Sequence, residues 1–509
     1  MSDAQQPVID FLANRAFRGT VERIDTHAAV VFLVGDRAWK MKRAVAFSFL
    51  DFTTLEARER ALRDELKLNR RTAPELYLGV VPVTREGDGF ALRGDGEAVE
   101  WLLEMHRFPQ EELYSNLARR GELSGAMVEE LAGAVARFHA EAEPRLDRGG
   151  AAAMHEVVEG NRGDLGRLTR DILPDATVAE VDRRSAELLE QHGALLEMRR
   201  AQGYVRHCHG DLHLRNIVRI GGRPILFDCI EFNEAFACID VLYDLAFLLM
   251  DLLERGLTGH AQRVLQGYVE RTGEAEGLAL LPLFIGTRAA IRAKVEGFAA
   301  QMQTDDAMRE RETRSAREYL ALSARALAPR APRLVAIGGR SGTGKSSVAA
   351  ALAPGLGALP GAVVLRSDVL RKRLLGRQSS DRLPPEAYKP DVGERVFAAI
   401  ADRAAIILRA GHSVIADAVY GHARQRASIE SVARNAGVRF TGIWLTAPEP
   451  VLESRVSARV GDASDADARV VRLQRGLDTQ RTQWRRLRAD RPLAEIAAEV
   501  RGVIEEANP

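Results

Sequence analysis

Near the start of the chain, apolar and polar residues alternate in short runs. Residues 29–34 (AVVFLV) are apolar, Gly35-Asp36 is a turn signal, and 37–43 alternates, which predicts paired strands. A charged helix is predicted over 54–71, and further strands over 78–83 and 98–105. From Ser124 the apolar period becomes that of helices, broken only by 205–232. After residue 333 the rhythm changes. Apolar runs at 334–337, 362–365, 413–416 and 440–445 are each followed, directly or after a loop, by a helical pattern, which implies a parallel sheet with right-handed crossovers. The stretch 324–333, rich in Pro, Ala and Arg, reads as a linker. The expected division is therefore a first domain at 1–323, with a strand-rich lobe to about 105 and a helical lobe from about 106 to 323, and a second domain at 334–509.

Composition narrows the class. With 509 residues, 46% hydrophobic and 28% charged, the chain is long enough for several packed cores, and wholesale disorder is excluded. Lys and Arg number 72 against 71 Asp and Glu, so net charge gives no reason to expect nucleic acid or an anionic membrane as partner. The three cysteines, Cys208, Cys229 and Cys238, do not suit a disulfide framework or a zinc site, and point to a reducing compartment. The N-terminal residues lack the apolar core of a signal peptide. The most apolar helical stretch, 241–253, contains Asp244 and Asp251 and is too short to span a bilayer. A cytoplasmic protein is expected.

Two motifs carry chemistry. The first in strength is Gly339-Arg340-Ser341-Gly342-Thr343-Gly344-Lys345-Ser346, a G-x-x-x-x-G-K-[ST] loop between an apolar strand and an Ala-rich helix. Its glycines let backbone N–H groups close around phosphate oxygens, Lys345 is placed for the β- and γ-phosphates, and Ser346 for Mg²⁺. Ligands of such sheets bind beyond the carboxyl ends of the strands. There Asp368 is the candidate to take a proton from an acceptor hydroxyl, with Arg371 beside it, and Asp417 the candidate to hold Mg²⁺. Arg455 and Arg459, four apart on one helix face, suit a lid over transferring phosphates.

The second motif is His207-Cys-His209-Gly-Asp211-Leu-His213-Leu-Arg-Asn216, followed by two short apolar strands and Asp228. Phosphoryl transfer explains these residue types: Asp211 to orient and deprotonate the attacking hydroxyl, and Asn216 and Asp228 to hold the metal. Reading His207, His209 and His213 as metal ligands leaves the acids without roles. His209 is better suited to hold the loop in shape.

HGDLHLRN followed by Phe227-Asp228 resembles the aminoglycoside-phosphotransferase branch of the protein-kinase-like fold, over about residues 25–320. The resemblance implies a strand lysine held by a helix glutamate, with Lys40 preferred over Lys42, Glu65 preferred over Glu59, adenine read by the backbone at 104–106, and Asp244 bracing the loop, Asp240 less so. His139 is similar to a structural position of that family. Asp228-Cys-Ile replaces D-F-G, which favours small-molecule over protein substrates. GRSGTGKS, RSDVLRK, VIADA and ESRVSARVGDASDAD resemble the P-loop small-molecule kinases, over about 334–474. The whole arrangement is similar to bacterial bifunctional proteins that fuse these two parts. The expected architecture is an α+β bilobal protein-kinase-like domain followed by an α/β P-loop kinase domain with a parallel sheet. The implied function is ATP- and Mg²⁺-dependent phosphoryl transfer at two sites to hydroxyls of small molecules. The alternatives are a single N-terminal kinase regulated by a C-terminal ATPase, and protein phosphorylation by the N-terminal domain.

Overall fold

The computed structural model describes residues 5–47, 50–377, 381–458, 464–465, 467–476 and 482–506. These pack as two compact units, one of residues to Gly160 with Leu189–Asp251, the other of Asn161–Leu188 with Leu252 onward.

In the first unit, α1 (Gln6–Asn14) precedes an antiparallel sheet of β1 (Glu22–Asp25), β2 (Ala29–Val34), β3 (Arg37–Lys42), β6 (Tyr77–Glu86), β7 (Gly89–Leu92) and β8 (Ala98–His106), in the order β1-β2-β3-β8-β6-β7. The short pair β4 (Ala46–Phe47) and β5 (Leu50–Asp51) stands apart from it. α1 buries Val8, Ile9 and Leu12 against Val30, Phe32, Trp39 and Met41 of the first hairpin. The helix α2 (Leu55–Asn69) starts at Thr54, whose hydroxyl accepts from the Ala57 N–H at 3.2 Å and caps the free end of the helix. Leu62 of α2 packs with Tyr77 and Leu103 of the sheet, and Glu65, one turn on along the same buried face, is carried inward with it.

Helices α3 (Tyr114–Arg119), α4 (Gly125–Glu141), α5 (Gly150–Arg167) and α6 (Asp175–Ala201) follow. The strand β9 (Val205–His207) then leads into the hairpin of β10 (Ile217–Ile220) and β11 (Arg223–Leu226). After α7 (Glu234–Ala237), β12 (Cys238–Asp240) pairs back with β9, which closes the loop 208–216 between paired strands. The apolar stretch at 241–253 is α8 (Val241–Glu254). It is a buried core helix, and no helix of the described residues is long and apolar enough to cross a membrane.

The second unit holds α9 (Thr258–Thr272), α10 (Leu281–Met302) and α11 (Asp306–Leu327) together with a parallel sheet. Its strands are β13 (Arg333–Gly339), β14 (Val363–Arg366), β15 (Val414–Asp417), β16 (Arg439–Thr446) and β17 (Arg485–Arg488), in the order β14-β15-β13-β16-β17. Helices α12 (Lys345–Leu352), α13 (Ser367–Leu374), α14 (Pro390–Arg409), α15 (Ala423–Asn435), α16 (Glu449–Ser457), α17 (Ala468–Leu473) and α18 (Leu493–Glu506) complete it. Val335, Ile337, Ile415 and Ile443 form the central core with Val348 of α12 and Val500 of α18.

Two expectations change, and one strand is added to those read from the sequence. The linker read at 324–333 begins inside α11, which continues to Leu327, and β13 starts at Arg333, so only 328–332 lie outside regular structure. The compact units do not follow a cut at that seam: α9, α10 and α11 fall in the same unit as the parallel sheet, and α9 packs against β14. β17 has only Leu487 buried among four residues and shows no apolar run from which to read an edge strand.

Candidate active sites

In the first unit the sheet and α2 deliver charges to one place. Lys40 of β3 lies 2.7 Å from Glu65 Oε1 and 2.7 Å from Asp228 Oδ1. Lys42, two residues on and therefore on the same face, lies 2.6 Å from the other oxygen of Glu65 and also pairs with Glu231. Glu65 is fully buried and receives both lysines; Glu59 instead pairs with Arg63 at 2.7 Å on the outer face of α2. Lys40 is the lysine that reaches Asp228. Burial alone would lower its pKa, but Asp228 and Glu65 outweigh it, so the ammonium is held well above the ordinary lysine value. Burial likewise pushes Asp228 up, and Lys40 more than reverses this, leaving the carboxyl below the usual aspartate value and ionised.

The loop 208–216 is held by buried acids. Asp244 on α8 accepts from the backbone N–H of His209 at 3.0 Å and of Gly210 at 2.9 Å, and pairs with His139 at 3.1 Å. Asp251, two turns further along α8, accepts from the Leu214 N–H at 2.9 Å. Gly210 sits at φ +82°, and a Cβ there would meet the Phe236 carbonyl at 2.9 Å, so the position admits only glycine without strain. His209 Nε2 bonds the Phe227 carbonyl at 3.0 Å, and burial keeps the ring neutral by lowering its pKa. Asn216 donates to the Asp211 carboxylate at 2.9 Å and to its backbone carbonyl at 3.0 Å, so the base candidate and one metal candidate are in contact. Asp211 and Asp228 remain 37% and 43% exposed, so both face open space. Asp228 is a non-glycine residue at φ +61°, a conformation costing of order 1–3 kcal/mol that is found chiefly where function requires it.

Several supports were not read from the sequence. The Tyr77 hydroxyl accepts from the Asp228 N–H at 3.0 Å, Asn69 accepts from the Cys229 N–H at 2.9 Å, and Arg71 donates to the His207 carbonyl at 2.7 Å. The spacing of Asp244 and Asp251, seven apart on an otherwise apolar helix, was a signal for the second of these acids. Asp240 does not touch the loop; it forms a buried two-point pair with Arg199 at 2.7 and 2.9 Å. The histidine reading finds no geometric support: among the described residues the only cluster spaced for a metal is His139, Cys208 and Asp244. Its aspartate oxygens are already taken by loop amides and His139.

In the second unit the phosphate loop spans 339–344, between β13 and α12. Gly342 has φ +88°, and a Cβ there would meet the Leu452 carbonyl at 2.7 Å. Ser346, in the first turn of α12, donates to Asp417 Oδ2 at the end of β15 at 2.6 Å, bringing both metal candidates together. Burial raises the Asp417 carboxyl above its ordinary value against the opposing pull of Lys345, Ser346 and Arg366. Lys345 Nζ donates to the Arg340 carbonyl at 3.1 Å, and Thr343 donates to the same carbonyl at 2.8 Å. The Arg340 side chain donates to the Val471 carbonyl at 2.7 Å, and the Ser341 N–H donates to Gln474 at 2.7 Å.

Asp368, expected at a strand end, is instead the second residue of α13, which follows β14 with no intervening loop. Arg371 stacks on Tyr388 and donates to the Ala387 carbonyl at 2.8 Å. The neighbouring Lys372 is buried, 3.6 Å from Asp465, whose carboxylate accepts from the Tyr388 hydroxyl at 2.7 Å. Arg455 donates to the Ala489 carbonyl at 2.8 Å, and Arg459 lies outside the described residues.

A family model for a phosphotransferase enzyme family matches residues 30–280, and one for an AAA domain matches 334–478. Among curated proteins, Rv2004c of Mycobacterium tuberculosis (strain ATCC 25618 / H37Rv) is 30% identical over 453 residues, 88% of this chain and 88% of its own. Mb2027c of Mycobacterium bovis matches to the same extent, at 30% over 453 residues and 88% of each chain. Among solved structures, the APS kinase CysC of Mycobacterium tuberculosis is 27% identical, covering 35% of this chain and 99% of that one, with a TM-score of 0.27. The amicoumacin kinase hAmiN is 15% identical over 62% of this chain and 93% of that one, with a TM-score of 0.40. Scores of this size add no functional weight. With both family models matching the segments that hold the two sites, and with a relative 30% identical over 88% of each chain, the chain belongs to one family with Rv2004c and is an ATP-dependent kinase that joins a phosphotransferase-enzyme-family domain to an AAA-type P-loop domain.

Proposed function

We propose that the chain carries two separate phosphotransfer sites, each moving the γ-phosphoryl group of ATP to a hydroxyl of a small molecule. The observation that carries this reading is the presence, at each site, of a complete set: a lysine, a carboxylate with a neutral oxygen or amide partner, and a second acid nearby. Asp228 with Asn216, and Asp417 with Ser346, offer oxygen ligands of the kind Mg²⁺ takes. Bound ATP with its divalent cation supplies the phosphoryl group and neutralises the charge that develops on transfer.

At the first site Lys40 would hold phosphate oxygens, Glu65 would fix its direction, and Asp211 would accept the proton of the attacking hydroxyl. Asn216 and Asp228 would hold the cation. At the second site Lys345 and the loop amides would hold phosphate, Ser346 and Asp417 the cation, and Asp368 would take the acceptor proton. Arg371 would orient the acceptor, and Arg455 and Arg459 would stabilise developing charge after a rearrangement that releases Arg455 from Ala489. The acceptors are read as metabolites such as sugars or aminoglycoside-like alcohols. The three cysteines are buried and unpaired, which favours a reducing, cytoplasmic setting.

The test is transfer from γ-labelled ATP into a small-molecule metabolite extract by wild type, Asp211→Ala and Lys345→Ala. Two labelled products, each lost in a different variant, are expected. If every product disappears with Asp211→Ala alone, the P-loop domain is a regulatory ATPase and the two-kinase reading fails.

A further inference from the structure

The outermost strand of the parallel sheet, β14, has one side paired with β15, the Val363 N–H donating to the Ser413 carbonyl at 3.0 Å. The other side of such a strand presents backbone groups that need partners. Here those partners are glutamine side chains of α9. Gln262 Nε2 donates to the Ala362 carbonyl at 2.9 Å. Gln266 makes a two-point contact, accepting from the Val364 N–H at 2.9 Å and donating to the Val364 carbonyl at 2.8 Å. The register matches because four helical residues rise about 6 Å and two strand residues about 6.6 Å. A helix with amides at i and i+4 therefore satisfies a strand edge as a further strand would.

The same helix grips the next element. Arg373 of α13 donates to the Glu270 carbonyl, in the last turn of α9, at 3.3 Å. The C-cap of α9, Gly273 at φ +80°, lies so close to that arginine that a Cβ would meet Arg373 Nη2 at 2.1 Å. Because α13 follows β14 directly, the strand and the first turn bearing Asp368 move as one piece.

We infer that α9 positions the acceptor side of the P-loop site, with Gln266, Gln262 and Arg373 as positioning residues acting through β14 and α13 on Asp368. The inference rests on the reading of Asp368 as the acceptor-side acid. It makes the P-loop site dependent on a helix that lies before residue 280, in the segment matched by the phosphotransferase model. A displacement of a reacting group by about 1 Å can cost 10²-fold in rate, so loss of the glutamine contacts is expected at the acceptor step rather than in nucleotide binding.

The experiment uses the full chain with Gln266→Met, which keeps the volume and removes both hydrogen bonds to Val364 together with the one that Gln266 Nε2 donates to Glu270 at 2.7 Å, and Arg373→Gln as an independent second variant. Amide hydrogen exchange is followed in peptides spanning 362–374. Transfer from γ-labelled ATP is measured against serial dilutions of the metabolite extract, scoring the product lost in Lys345→Ala. Exchange at least tenfold faster in that segment is expected, with the half-saturating extract concentration raised at least fivefold and half-saturation by ATP changed less than twofold. The product lost in Asp211→Ala should be unaffected, which shows that the variants are folded. Faster exchange with unchanged acceptor half-saturation would mean that the ladder only seals the strand edge, and would overturn the inference; so would unchanged exchange. If wild type forms no Lys345-dependent product, the kinase reading of that site fails separately. The exchange of α13 amides then decides whether α9 holds the segment: faster exchange in both variants upholds it, and unchanged exchange overturns it.

Discussion

Lys40 and Lys42 show how two identical side chains on one strand face come to differ. Both meet Glu65, but Lys40 also meets a carboxylate that faces open space, whereas Lys42 meets Glu231 in the interior. Breaking a buried pair leaves an uncompensated charge and costs about 3–5 kcal/mol. Lys42→Met is therefore expected to lower the thermal midpoint more than Lys40→Met does. Lys40→Met is expected to lower kcat/KM for ATP at the N-terminal site by 10²-fold or more while the fold persists. Thermal unfolding and transfer assays on the two variants check this; equal effects in both assays would show that the lysines act as one unit. The resemblance to the phosphotransferase family pointed to a strand lysine, and the sequence offered these two, on one face of the same strand. It did not reveal Glu231, because no local pattern says which acid a buried ammonium will meet.

At the scale of elements, the two candidate loops are shaped by different means. The loop at 208–216 is held from behind by Asp244 and Asp251, whereas the loop at 339–344 is shaped by its own glycines and by packing on α16. Gly342→Ala is expected to abolish the Lys345-dependent product, since φ +88° and the Leu452 carbonyl at 2.7 Å leave no place for a methyl group. The Asp211-dependent product should survive, and its loss would mean that the substitution unfolds the chain. Asp251→Asn keeps an acceptor for the Leu214 N–H but loses the charge, and should reduce Asp211-dependent transfer several-fold without changing the Lys345-dependent product. The strands and most helices at these loops were legible because their apolar period is local. β17 and the end of α11 were not, since an edge strand with one buried residue and a helix running into Ala-Pro carry little periodic signal.

For the whole molecule, burial of one titratable group sets a pH dependence. His412, just before β15, is fully buried, and burial lowers its pKa from 6.5 to about 4. Between these values the unfolded chain binds a proton that the folded chain refuses, so stability is full above about pH 6.5 and falls as the pH drops toward 4. The loss approaches about 3 kcal/mol at the acid end. Replacing this side chain, as in His412→Leu, should flatten the decline in thermal midpoint between pH 7 and pH 4.5 relative to wild type. A decline of the same size in both proteins would assign it to other groups. This prediction belongs to the second unit as a whole, since the backbone of Leu278, far away in the sequence but in the same unit, opposes the burial effect on the ring.

The sequence alone picked out both candidate loops, the classes of fold that present them and the acids proposed to act there, through glycine spacing, strand period, the residue types that phosphoryl transfer requires and the resemblance to two kinase families. Tertiary structure alone decided which lysine reaches Asp228, that Asp368 begins a helix rather than ending a strand, and that α9 packs with the parallel sheet. Lys40 meets Glu65 and Asp228, 25 and 188 positions away, at 2.7 Å, and Gln266 of α9 meets Val364, 98 positions away, at 2.9 Å; contacts of that separation leave no periodic trace along the chain.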